Sequence, residues 1–181
     1  MSTPQQQEAW LRGAIDGFDP LVMPIVHALV QVREDLEHLA ATVRPEHVWV
    51  KPGGAASVGF HARHIGGALD RLFTYARAEQ LSDAQKAVAR GEGEPGDPPM
   101  ALDAVVRETH ALIERAFEQL RATTAAELAA ERRVGRAGLP STVLGLLFHA
   151  AEHSTRHAGQ AITTAKILAG SSTGSGGFGT A

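Results

Sequence analysis

Apolar side chains recur every three or four residues over four stretches of the chain, the spacing of helices that each bury one face. The first stripe is Leu21, Ile25, Leu29, Val32, Leu36, Leu39 and Val43. Asp19-Pro20 opens it, pairing a capping side chain with a residue preset for a first turn. Pro24 still falls where a missing amide costs little, and Arg44-Pro45 ends the element. A second helix is predicted after Pro52-Gly53-Gly54, with Ser57 as its N-cap. It runs to about Leu81 and places Ile65, Ala68, Leu69, Leu72, Phe73 and Ala76 on one face.

The third helix carries Leu102, Val105, Val106, Leu112, Ile113, Phe117 and Leu120. The fourth is predicted to be capped by Ser141, and Val143, Leu144, Leu147, Phe148, Ala151, Ala158, Ile162 and Ala165 line its buried side. Gly91 to Pro99 reads as a flexible connection, and Arg132 to Pro140, with Gly135 and Gly138, as a polar loop. Trp10, Leu11, Ile15 and Phe18 suggest a short amphipathic piece on the outside. The expected organisation is therefore an N-terminal extension over residues 1–19, an all-α four-helix bundle over 20–169, and a disordered Gly/Ser-rich tail over 170–181.

Composition narrows the class. The chain has 181 residues, 44% hydrophobic and 20% charged, which suits one globular domain with a full core. With 17 Lys and Arg against 20 Asp and Glu the formal charge is −3, and no basic stretch is dense enough to follow a phosphate backbone. Nucleic acid is not an expected partner. No apolar run reaches the roughly 18 residues that cross a bilayer, and Gln5, Gln6 and Gln7 do not resemble a signal peptide, so a cytoplasmic address with no membrane partner is expected. There is no cysteine, which removes disulfides, thiolate zinc ligands and a protein thiol nucleophile.

The nine histidines are the outlier. His149, His153 and His157 are four apart, so each step turns only about 40° around the helix axis and the three form a ridge. An i, i+4 pair lets one helix offer two imidazoles to one metal ion. His61 and His64 lie on neighbouring faces of the second helix, and His64 sits one turn before Ala68. Two imidazoles from the last helix and one from the second would make a three-nitrogen site with an open position, as a reactive centre requires. His149-Ala150-Ala151-Glu152-His153 also matches the H-x-x-E-H pattern of inverted zinc peptidases. Those enzymes need a distant further carboxylate ligand and a large α/β scaffold, and this chain has neither the length nor a convincing strand for one.

Ser57-Val58-Gly59-Phe60-His61-Ala62-Arg63-His64-Ile65-Gly66-Gly67-Ala68-Leu69-Asp70, with Glu152-His153-Ser154-Thr155-Arg156-His157-Ala158-Gly159-Gln160 later, resembles the DinB/YfiT-like superfamily over residues 20–168. The resemblance implies an up-down-down-up four-helix bundle, often a homodimer, with metal ligands at His64, His153 and His157. His61 and His149 then fall one turn before ligand positions, and Asp70, Glu152 and Gln160 become candidates to orient imidazoles.

Three functions compete. In the first, which the resemblance implies, a divalent metal, zinc or nickel, favours the thiolate of a low-molecular-weight thiol such as mycothiol or bacillithiol for S-transfer to a small-molecule electrophile. In the second, a hydrolase, the same metal lowers the pKa of bound water, and Glu152, His61 or His149 would be the catalytic base. The third is a non-catalytic, metal-binding, stress-associated bundle. His27, His38, His47 and His110 receive no functional role.

Overall fold

The computed structural model describes residues 7–173. Five helices carry the fold: α1 (Met23–Thr42), α2 (Val58–Ala76), α3 (Asp83–Gly91), α4 (Leu102–Ala122) and α5 (Val143–Thr173). A two-stranded hairpin, β1 (Glu131–Val134) and β2 (Leu139–Thr142), precedes α5. Among the described residues no helix is long and apolar enough to cross a membrane.

α1, α2, α4 and α5 form the bundle, with α1 packed beside α4 and α5, and α2 beside the same two. Cross-helix contacts give the directions. Ala62 and Phe73 of α2 accept hydrogen bonds from Thr109 (2.8 Å) and Gln119 (3.2 Å) of α4, so these helices are parallel. Arg33 and Glu37 of α1 meet Glu114 and His110 of α4 in the opposite order, so that pair is antiparallel. His61 and His64 of α2 meet His157 and His153 of α5, again antiparallel. The result is the up-down-down-up bundle.

The stripes read from the sequence supply the core. Leu29, Val32, Leu36, Ile65, Leu69, Val105, Ile113, Leu120 and Leu147 are all essentially inaccessible. The approach of α2 to α4 depends on a missing side chain, since a Cβ at Gly66 would stand 2.8 Å from Leu112 Cδ1 and 3.0 Å from Thr109 Oγ1. Leu21, Leu144 and Phe148 depart from the expectation and are exposed. Leu21 precedes α1, in the turn where its amide donates to Asp19 Oδ1. Of the N-terminal apolar residues, Ile15 and Phe18 pack on the core, with the Phe18 ring edge-on to Phe117, while Trp10 and Leu11 are exposed beside them.

Several boundaries differ from the sequence reading, beginning with α1, which starts at Met23, three residues after the expected Asp19-Pro20 opening. α2 stops at Ala76 instead of Leu81, because Ala78 takes a left-handed conformation (φ 62°) that breaks the helix without a glycine to announce it. α3 follows, opened by a reciprocal cap in which Ser82 accepts from the Gln85 amide and Gln85 Oε1 accepts from the Ser82 amide. Parallel neighbours need a return path, and α3 provides it by running back along α2 from Gln85, beside Asp70 and Thr74, to Gly91, beside Arg63. The expected polar loop at 132–140 is mostly hairpin, docked on α2 through Arg132 Nε, which donates to Ala76 O (2.6 Å). α5 is capped by Thr142, one residue after the expected Ser141, through a bond from the Gly145 amide (3.0 Å), and it continues to Thr173, four residues past the boundary placed at 169. Residues 1–6 of the N-terminal extension and 174–181 of the tail lie outside the described residues.

Candidate metal centre

Four imidazoles meet where the N-terminal half of α2 faces the middle of α5. Antiparallel packing runs the two sequences against each other, so the three-residue step from His61 to His64 matches the four-residue step back from His157 to His153. His64 Nε2 lies 2.9 Å from His153 Nε2, and His61 Nδ1 lies 2.9 Å from His157 Nδ1. The rings of His64 and His153 each stand 4.5 Å, centroid to centroid, from that of His157. One ligand atom from each of His64, His153 and His157 lies within 4.8 Å of the others, so these three could hold one metal ion. They are the three residues that the family resemblance implied as ligands.

The surroundings bias the rings toward ligation. Burial lowers the pKa of His157 to about 4, with the neighbouring His64, His153 and His61 adding to the effect. Burial, and then the charge of His64, also lower His153 and His61. Neutral imidazoles keep a lone pair for a metal, so His153 and His157 are biased toward a ligating protonation state in the neutral range. The Nδ1 of His153 is buried with no hydrogen-bond partner among the described residues, so the fold alone does not satisfy that ring. Three convergent imidazole nitrogens with no thiolate or carboxylate among them suit a borderline divalent ion such as zinc or nickel.

The same shifts set the pH response of the metal-free protein. A histidine whose folded pKa lies below its unfolded value of roughly 6.5 takes up protons more readily when unfolded. The stability these buried rings allow is therefore complete above that value and is lost as pH falls toward about 4, the value for His157. Urea midpoints of chelator-treated protein should fall steadily from pH 7 to pH 4.5, and a flat profile would contradict this burial.

Two neighbours were not legible as site residues. Glu92, just past α3, is 3% exposed, and its Oε2 lies 2.5 Å from His64 Nδ1 while Oε1 accepts from Arg71 Nη1 (2.6 Å). Burial pushes its pKa up, but the bonds from His64 and Arg71 and the charge of Arg71 outweigh that and leave it lowered. The ring of Phe60 stacks on His64 (5.2 Å, 16°) and stands edge-on to His61 and His157, giving the centre an apolar wall. Glu92 escaped notice because the Gly-Glu-Gly-Glu run around it reads as solvated linker, and only the return of α3 along α2 brings it inside.

A sequence model of the DinB superfamily matches residues 28–161, which span both histidine motifs. The chain belongs to the DinB superfamily. A crystal structure of a DinB-like protein from Bacillus cereus ATCC 10987 shares the fold, with a TM-score of 0.62 at 14% identity over 80% of this chain and 91% of that one. No curated protein matches the chain significantly.

Within this DinB superfamily bundle the remaining candidates separate cleanly. His61 joins the cluster against His157, whereas His149 is exposed at its edge, 5.5 Å from the His153 ring, with Nδ1 3.5 Å from Glu152. Glu152 is held by Arg156 through both carboxylate oxygens, and that pairing lowers its pKa. Asp70 accepts from Gln85 of α3 and so anchors the return helix, away from the imidazoles, while Gln160 is exposed. Among the described residues, Nδ1 of His64 is hydrogen-bonded to Glu92 and Nδ1 of His157 to His61.

Proposed function

We propose that this protein is a metal-dependent S-transferase that uses a low-molecular-weight thiol at a centre formed by His64, His153 and His157. The observation that carries this reading is the convergence of three half-buried imidazoles beside an apolar wall. A divalent ion held there would supply Lewis acidity, favouring the thiolate form of an incoming thiol at neutral pH. The chain itself has no cysteine, so the sulfur nucleophile has to arrive with the cofactor.

The residues around the centre divide the remaining tasks. Burial lowers the pKa of His153 and His157 and so keeps those two rings able to donate lone pairs. Phe60 covers the face of His64 and limits water there, which strengthens electrostatic interactions at the centre. Glu152, the carboxylate proposed from sequence as a base, is committed to Arg156 and has a lowered pKa, so it is poorly suited to take a proton. That arrangement favours chemistry in which the nucleophile is deprotonated by its own coordination, as a thiol can be, over hydrolysis assisted by a carboxylate base.

The test is turnover of a chlorinated nitroarene by zinc- or nickel-loaded protein with mycothiol, bacillithiol or glutathione. Thiol-dependent conversion that vanishes in His153→Ala is expected. Metal-loaded protein that is inert with every thiol yet cleaves an activated ester would replace this reading with the hydrolase.

A further inference from the structure

We propose that Glu92, Arg71 and Gly67 form a positioning unit that fixes the tautomer of His64, so that its Nε2 lone pair faces His153 and His157. This rests on the metal-centre reading above and concerns how that centre is prepared. His64, Gly67 and Arg71 are three and four residues apart, so they rise along one face of α2. Glu92 lies across that face and spans both ends, one oxygen on His64 Nδ1 and the other on Arg71 Nη1. The middle position is glycine, and a Cβ there would displace Glu92 Oε1 and stand 2.9 Å from Arg71 Nη1, so the pairing as seen uses the space glycine leaves.

The hydrogen-bond logic leaves one outcome. A guanidinium only donates, so Arg71 consumes an acceptor oxygen of Glu92. An ionised carboxylate only accepts, so the second oxygen requires a proton on His64 Nδ1, and the form of the ring that can ligate carries no other. The single proton of the ring is thereby placed on Nδ1, and Nε2, the atom turned toward His153, carries the lone pair. Arg71 also keeps Glu92 charged despite its burial, since an ion pair offsets the desolvation of the carboxylate.

This makes Glu92→Gln more damaging than its size suggests. Arg71 still captures the one acceptor, now the amide oxygen, and the amide NH2 is left facing His64 Nδ1. His64 can then satisfy the NH2 only by accepting at Nδ1, which moves its proton to Nε2 and blocks ligation. Removing Arg71 as well lets the amide flip, present its oxygen to His64 and restore the first tautomer.

The experiment reads the tautomer by imidazole 15N chemical shifts in metal-free protein, and zinc affinity by competition with a chromophoric chelator. Wild type should hold His64 as the Nδ1–H form. Glu92→Gln should switch it to Nε2–H and weaken zinc by about 10–100-fold, the usual cost of losing a partner behind a ligand. The double variant Glu92→Gln with Arg71→Met should regain the Nδ1–H form and most of the affinity, although it has lost one more native contact. A merely structural role predicts the reverse order, with the double variant worst. An unchanged tautomer in Glu92→Gln, or no recovery in the double variant, would overturn the proposal. Wild-type protein that binds no zinc would refute the metal-centre reading, while the tautomer measurement would still decide the role of Glu92.

Discussion

His153→Ala is expected to abolish stoichiometric metal binding while leaving the fold in place. His153 supplies one of three nitrogens clustered within 4.8 Å, and its ring packs on both His64 and His157. Two imidazoles from different helices cannot replace three, so purified variant protein should carry a small fraction of the metal found in wild type. The fold should persist because the ring is only half-buried and its Nδ1 makes no hydrogen bond that truncation would break. Metal-free His153→Ala should therefore melt close to metal-free wild type. Added zinc should raise the melting temperature of wild type alone, since a ligand held 100-fold above its dissociation constant stabilises by about 2.7 kcal/mol. Elemental analysis and paired melting curves check both halves. A variant that retains a full equivalent of metal would remove His153 from the centre.

Ile65→Ala should produce the opposite pattern. Ile65 follows His64 but faces the interior, where it is completely buried among the apolar stripes of the bundle. Truncation leaves a cavity in a packed core, and such changes cost about 2–5 kcal/mol. For a domain of this size that corresponds to a fall of roughly 4–20 °C in melting temperature. The three imidazoles keep their places on α2 and α5, so the increment gained on adding zinc should equal that of wild type. Together the two variants separate what holds the bundle from what holds the metal. Urea or thermal unfolding with and without zinc is the measurement, and loss of the zinc increment in Ile65→Ala would show that core and centre are coupled.

Much of this molecule was legible as pattern. Leu29, Leu36, Ile65, Leu69, Ile113, Leu120 and Leu147 announce their burial through helical spacing, and the structure places all of them in one core. Spacings of three and four marked His61, His64, His149, His153 and His157 as candidate ligands, and the family resemblance implied His64, His153 and His157 among them. What pattern could not supply depends on tertiary contact or on backbone conformation. α3 has no buried residue of its own, so it leaves no apolar stripe, and only the Ser82–Gln85 cap marks it. Ala78 ends α2 in a left-handed conformation that its residue type does not advertise. The strands at 131–142 are four residues each and lack alternating apolar positions, so Arg132-Arg133 and Pro140-Ser141 read as loop. Glu92 combines these difficulties, since an acidic residue in a glycine-rich run becomes a buried acceptor only after the return helix has docked.

The centre itself is tested most directly by X-ray absorption at the metal edge of zinc-loaded protein, compared with the three single His→Ala variants at positions 64, 153 and 157. The account predicts multiple-scattering features of three imidazoles bound to zinc in wild type, and loss of stoichiometric zinc from each variant. A zinc environment of oxygens alone, or a full zinc complement surviving all three substitutions, would contradict it.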